Sequence, residues 1–301
     1  MPDLQFLKLF AVTGLALGGV YALSGVGLVV LYRATGVLNL AFGAIGALGA
    51  FISWQIIQST TLPDWVGYAA CVAFGGVVTF AYGLIFGPAL AARDPLVKAI
   101  GTLGLALIFL GIMSWVWGDR AGLSMPLPTT TRTYTLGSFG VVTWTQTIGL
   151  AFGGVVTVGT ALFLRFTKLG TAMRALANDR EITSTLGVPV RRVEAAAWLG
   201  SGLICGVSGL LLSNLLGLEI NTLTFFVISA LSAALIARLR SLWVTLVAAL
   251  VIGLGEALLT PWYGSFQWVS DFRTMTPFVL AILALLWLGR HRVVTVSRVA
   301  R

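Results

Sequence analysis

The chain has 301 residues, of which 58% are hydrophobic and only 10% charged. That balance excludes an ordinary soluble domain and places the chain among polytopic membrane proteins. The net charge of +9 does not point to nucleic acid, because the basic residues lie between apolar runs, where positive charge fixes orientation.

A membrane helix needs about twenty apolar residues. In chain order such segments fall at 9–31, 37–58, 65–92, 96–117, 144–164, 194–217, 223–237, 242–260 and 274–289. The first is too long for the apolar region of a signal peptide and lacks a clean cleavage site, so it reads as a retained span. The seventh is short enough to be a half-helix or re-entrant segment. The expectation is one all-α, polytopic transmembrane helical bundle over 1–301, with eight or nine membrane segments.

Alternating the loops and placing residues 165–194 inside gives an external N-terminus and a cytoplasmic C-terminus. Arg33, Arg93, Lys98, six Lys/Arg of the central loop, Arg238, Arg240, Arg290, Arg292, Arg298 and Arg301 then lie inside, fifteen in all. Lys8, Arg120, Arg132 and Arg273 lie outside, which is four. Short cytoplasmic loops hold such an excess. The bias also favours nine crossings, since Arg238 and Arg240 fall inside only if 223–237 crosses or dips to that side. Trp65, Trp115, Trp117, Trp144, Trp262 and Trp268 fall at expected outer ends, and Trp198, Trp243 and Trp287 at inner ends, where indoles favour the interface. The longest outer connection, 118–142, is rich in Thr and Pro and reads as an ordered loop or short hairpin.

Thirty-six glycines, several at close helical spacing (Gly14, Gly18 and Gly19; Gly43, Gly46 and Gly49), let membrane helices approach closely. Tight packing within one subunit is the plainer explanation; a moving or pore-lining interface is the sharper one. Cys71 and Cys205 stand singly in apolar runs and read as small core residues. Asn39, Gln146, Asn214, Glu219 and Glu256 are the notable polar groups in or near the spans. Glu256 is the one acid placed well inside a span. A carboxylate there is costly and is a candidate for the substrate path, or else a hydrogen-bonded packing contact. Asn39, near the inner end of the second span, either caps or bridges helices or lines that path.

The central loop is the anomaly. Residues 165–194 hold six Lys/Arg and three Asp/Glu, nine of the chain's twenty-nine charges. Asn178 with Glu181 three residues on has capping-box spacing. Gly187 suits the position after a helix, and Pro189 blocks continuation. Upstream, 171–177 can form another short helix. Orientation alone explains Lys and Arg but not capped helices of mixed charge, which suit a docking surface for a soluble partner.

The stretch "GTAMRALANDREITSTLGVPVRRVEAAAWLGSGLICGVSGLL" resembles the cytoplasmic coupling loop, and the following helix, of branched-chain amino-acid ABC-transporter permeases of the LivH type. Arg174, Ala175, Asp179, Arg180, Glu181 and Gly187 match that pattern, whereas Ile182 and Thr183 replace its two alanines. "GLALGGVYALSGVGLVVLYRATGVLNLAFGAIGALGA" resembles the family's first two spans, with Phe42 where a histidine is common. The Gly-rich turn of the family is replaced by "AALIARLRSLWVTLVAA". The resemblance covers 14–60 and 165–260.

It implies a permease of the bacterial inner membrane that moves branched-chain amino acids or a related small polar solute, such as an amide or urea. An external solute-binding protein would deliver the solute. A second permease, identical or similar, would complete the pore. Cytoplasmic ATP-binding subunits would dock on a coupling loop at about 166–193, gripping Arg174, Arg180 and Glu181 while Gly187 turns the chain back. No P-loop motif occurs in the chain, so ATP belongs to those partners and no cofactor is expected here. No catalytic group or metal cluster is evident; the single His291 sits in a basic tail. The alternatives are a self-contained secondary transporter or channel, which would need more intramembrane charge, and an intramembrane enzyme, which would need paired catalytic groups.

Overall fold

In a computed structural model, the described residues are 4–263, apart from 91–92, 119, 121, 131 and 136–140, with isolated positions 279, 282, 283 and 286. The expected segment at 274–289, together with Arg273, Arg290, Arg292, Arg298, Arg301, His291, Trp268 and Trp287, therefore lies wholly or mainly outside them. The elements are α1 (Leu4–Thr35), α2 (Phe42–Ser59), α3 (Asp64–Ile85), α4 (Gly87–Leu90), α5 (Pro95–Trp117), β1 (Thr133–Thr135), β2 (Val141–Thr143), α6 (Trp144–Phe166), α7 (Lys168–Asn178), α8 (Arg180–Thr185), α9 (Val190–Leu215), α10 (Ile220–Phe225), α11 (Val227–Ile236) and α12 (Leu242–Tyr263).

Seven of the described helices are long and apolar enough to cross a membrane: α1, α2, α3, α5, α6, α9 and α12. Most of α1 is buried, and it packs against α12, α6, α9 and α11. A helix apolar on every side belongs in such a centre. In contrast, α5 and α6 turn large apolar side chains outward, including Leu107, Ile108, Val155 and Leu162, as a lipid-facing wall should.

Close backbone approach holds the bundle together. A Cβ on Gly153 would stand 2.3 Å from the Gly19 carbonyl, joining α6 to α1. One on Gly202 would stand 1.8 Å from Thr79 Oγ1, joining α9 to α3. Gly14, Gly18, Gly43, Gly46 and Gly49 likewise face neighbouring helices, so packing within the chain accounts for the glycine runs. Cys71 and Cys205 are buried and free; the Cys205 thiol donates to the Phe42 carbonyl at 2.9 Å.

Three expectations need correction. The 223–237 segment is two short helices, α10 and α11, broken at Phe226. Together, Ile220–Ile236 rises only about 25 Å, less than the roughly 30 Å hydrocarbon core. Trp117 and Trp198 are core residues, packed on Phe51 and Tyr82; Trp65, Trp115, Trp144 and Trp243 are exposed. Finally, the segment expected at 194–217 starts earlier, since α9 begins at Val190.

The expected hairpin is present. β1 and β2 pair antiparallel, and Thr143 continues into α6 as a capping box with Gln146. The Gln146 amide also donates to Thr13 Oγ1 at 3.2 Å, so this group fastens α6 to α1.

Candidate functional site

Two places in the bundle gather polar chemistry: the end bearing the charged island, and the interior where backbone leaves the helical path.

At the island end, the Thr167 hydroxyl accepts from Gly170 N and caps α7. One face of α7 buries Gly170, Met173 and Leu176, in the same cluster as Val29 and Leu31 of α1 and Val193 and Ala197 of α9. The N-cap of α8 is Asp179, whose Oδ1 accepts from Ile182 N at 3.0 Å. Asn178 instead ends α7, so the expected capping box with Glu181 does not form; Ile182, three residues after Asp179, has no side-chain acceptor to complete one. Gly187 has φ +81°, the left-handed geometry a helix end favours in glycine. Arg180 forms a salt bridge with Glu194 of α9. It clamps α8 to the first turns of a spanning helix. Arg174 is exposed and donates to Thr171 Oγ1; Glu181 is exposed at the start of α8.

Sequence reasoning passed over the two apolar residues of this tip. Ile182 is 60% exposed and Leu186 77% exposed. They stand four residues apart, on one helical face. Thr183, between them, is buried. The signal lay in the substitution of Ile182 for an alanine.

Charge gathers at the same end. Arg33 donates to the Arg240 carbonyl at 3.3 Å. Arg33, Lys98, Arg180, Arg238 and Arg240 line a common cavity. The five expected to share a side therefore do share an end.

In the interior, residues 36–41 are non-helical apart from the turn at 40–41. Thr102 of α5 secures them: its hydroxyl accepts from Leu40 N and donates to the Leu38 carbonyl, both at 3.0 Å. Asn39 is 2% exposed. Its Oδ1 accepts from Ala41 N at 3.1 Å, closing a turn just ahead of α2, whose N-cap is Ala41. Among the described residues its Nδ2 has no partner, and neither has Thr224 Oγ1 on α10. The two irregular segments meet where the rings of Phe42 and Phe226 lie edge to face, 6.5 Å apart. Unsatisfied buried groups of this kind are costly; Ser53 and Ser201 carry two more.

Glu256 of α12 stands apart from Asn39 in its bonding. It accepts from Tyr21 OH of α1 at 2.8 Å and from Ser229 Oγ of α11 at 3.2 Å. The carboxylate thus ties a short helix to the central one. Asn214 and Glu219 are not interior groups. Asn214 holds the connection between α5 and α6 through the Met125 carbonyl and Thr130 Oγ1, and Glu219 accepts from Thr222 at the start of α10. No group of three or more metal-ligating side chains occurs among the described residues.

Residues 10–287 match the family model described as branched-chain amino acid transport system / permease component. The chain is 26% identical over 289 residues to the high-affinity branched-chain amino acid transport system permease protein LivH of Salmonella typhimurium, covering 91% of each chain. It is 26% identical over 314 residues to BraD of Pseudomonas aeruginosa, a protein of the same description, covering 97% of this chain and 99% of that one. A solved structure, PsaBC from Streptococcus pneumoniae in complex with Fab, aligns with TM-score 0.49 at 14% identity, covering 93% and 90% of the two chains.

Proposed function

Because the chain belongs to the family of branched-chain amino-acid transport system permease components, we propose that it is the membrane-spanning subunit of an ATP-driven importer for branched-chain amino acids or a related small polar solute. It is a multi-pass protein of the bacterial inner membrane and a transport subunit, not itself an enzyme. ATP-binding subunits dock on α7 and α8 at the cytoplasmic face; a second permease and an external solute-binding protein complete the machine. On this reading the N-terminus is external and the C-terminus cytoplasmic.

The observation that carries the reading is the exposed pair Ile182 and Leu186 on a stiff base. A solvent-facing apolar pair on a short helix that also carries the exposed Glu181 suits a protein groove rather than water. The base transmits force. The buried face of α7 lies against α1, and Arg180 couples α8 to α9. Closure of an ATPase dimer then pulls on the central helix and on α9 together, switching the bundle between two openings. The solute path runs past Asn39, Thr224 and Glu256, where α10 and α11 supply a discontinuity of the kind transporters place near the bilayer midplane.

The test is reconstitution with the ATP-binding subunits, the second permease and the binding protein of its own system. Leucine uptake into proteoliposomes should require all of them and internal ATP. Equal uptake by this chain alone in ATP-free liposomes would establish the secondary-transporter alternative instead.

A further inference from the structure

The island end carries a half-open cavity of about 730 Å³. Among the described residues its walls carry Arg33, Lys98, Arg180, Arg238 and Arg240, and no aspartate or glutamate. Glu194 is held by Arg180 and offsets one charge of five. Lys98 is 8% exposed, and among the described residues its ammonium group has no hydrogen bond or salt bridge. The one acid that acts on it, Glu194, is shared with Arg180 and Arg191, so the cations outnumber the carboxylate that could offset them. The backbone is also bent to assemble this ring. Arg238 and Leu239 both have φ +54°, a left-handed geometry that is disfavoured outside glycine and is kept where surrounding structure or function demands it.

We propose that this cavity binds a phosphate-bearing anion, and that the headgroup of an anionic phospholipid is its main occupant. Four of the five cations are arginines, whose planar forks pair with phosphate through two parallel hydrogen bonds. Basic pockets between membrane helices on the cytoplasmic side hold such headgroups. The adjoining surface accepts the rest of a lipid. α12 begins two residues after Arg240 and turns Trp243, Val244, Val247 and Val251 outward, a stripe along which an acyl chain can lie while its phosphate reaches Arg240. The bound anion would neutralise the ring where α1, α5, α7 and the α11–α12 turn converge. The site is separate from the solute path; it shares Arg180 with the α8 region proposed to dock the ATP-binding subunits, and its cytoplasmic placement rests on that reading.

The experiment titrates the purified, delipidated full chain in neutral detergent with phosphatidylglycerol, with phosphatidylcholine, and with inorganic phosphate against chloride at equal ionic strength. Bound lipid is counted by native mass spectrometry and the thermal midpoint is followed. Phosphatidylglycerol should bind at about one per chain and raise the midpoint, and phosphatidylcholine should not. Lys98→Gln and Arg240→Gln should each weaken binding about tenfold, the worth of one charge-assisted hydrogen bond. The exposed Arg240 supplies the usable variant if Lys98→Gln does not fold. A full response to inorganic phosphate alone would keep the site and assign it to a soluble phosphate. Absence of any preference over phosphatidylcholine and chloride, or unchanged affinity in a folded variant, would overturn the proposal. So would loss of ATP-binding subunits in Lys98→Gln with no lipid on the wild-type chain, which would give the cations to a protein surface.

Discussion

At the hairpin end, neutral hydrogen bonds close the connection between α5 and α6 onto the bundle. Tyr68 OH donates to the Pro126 carbonyl at 2.5 Å, Asn214 reaches both Met125 and Thr130, and Leu218 N donates to the Leu123 carbonyl at 2.8 Å. Thr129 and Thr145, and Tyr134 and Thr147, pair through their hydroxyls. The island end has the opposite character: a crowd of cations, one salt bridge and an exposed apolar tip. One end satisfies its polar groups within the chain. The other leaves charge and apolar surface to be satisfied from outside. A permease needs such an asymmetry, since only the motor side must grip something that pushes.

The comparison can be broken most completely at the frame both ends share. Gly202→Leu would force a side chain into Thr79 and Gly75, where a Cβ already meets atoms at 1.8 and 2.3 Å. No folded protein should be recovered by size-exclusion chromatography. Next comes the tip. Ile182→Glu with Leu186→Glu should insert normally yet lower ATP-driven uptake by more than tenfold, as two anchors worth about 2 kcal/mol each imply. Charge reversal by Glu181→Arg should lower uptake several-fold, and Gly187→Pro should do the same by breaking the turn back to α9, since proline cannot reach φ +81° and removes the bond from Gly187 N to the Ser184 carbonyl, with unchanged amounts in the membrane. At the hairpin end, Asn214→Ala should cost about 1–3 kcal/mol of stability through two lost hydrogen bonds, read as a lower thermal midpoint, while coupled ATPase activity persists. Tyr68→Phe should do the same at about 1 kcal/mol. If the hairpin-end variants abolished coupling and the tip variants did not, the roles of the two ends would be reversed.

Much of this asymmetry was legible in the sequence. Hydropathy located the long spans, and the clustering of Lys and Arg anticipated that Arg33, Lys98, Arg180, Arg238 and Arg240 would share an end. Gly187 was readable because few residues tolerate its φ. What was hidden depends on tertiary contacts. The break at Phe226 carries no glycine or proline; it is placed by packing against Phe42 and by the Thr224 carbonyl beside Gly43. The cap of α8 fell to Asp179 rather than its neighbour Asn178, because α7 continues through Asn178. Glu194 read as the polar edge of a span, and only the fold brings it to Arg180. Trp117 and Trp198 obeyed the interfacial rule by position in sequence but found aromatic partners inside. Asn39 was read as a cap or a path residue; its Oδ1 closes a turn ahead of α2 rather than capping it, and among the described residues its Nδ2 finds no partner.

The most direct measurement is gentle purification of the tagged chain from its native membrane, with quantitative mass spectrometry of co-purifying subunits, for wild type and for Ile182→Glu/Leu186→Glu. The account predicts ATP-binding subunits with the wild type and their loss from the variant, while the second permease is retained. Equal recovery of the ATP-binding subunits with both proteins would contradict the assignment of the α8 tip as the surface the motor grips.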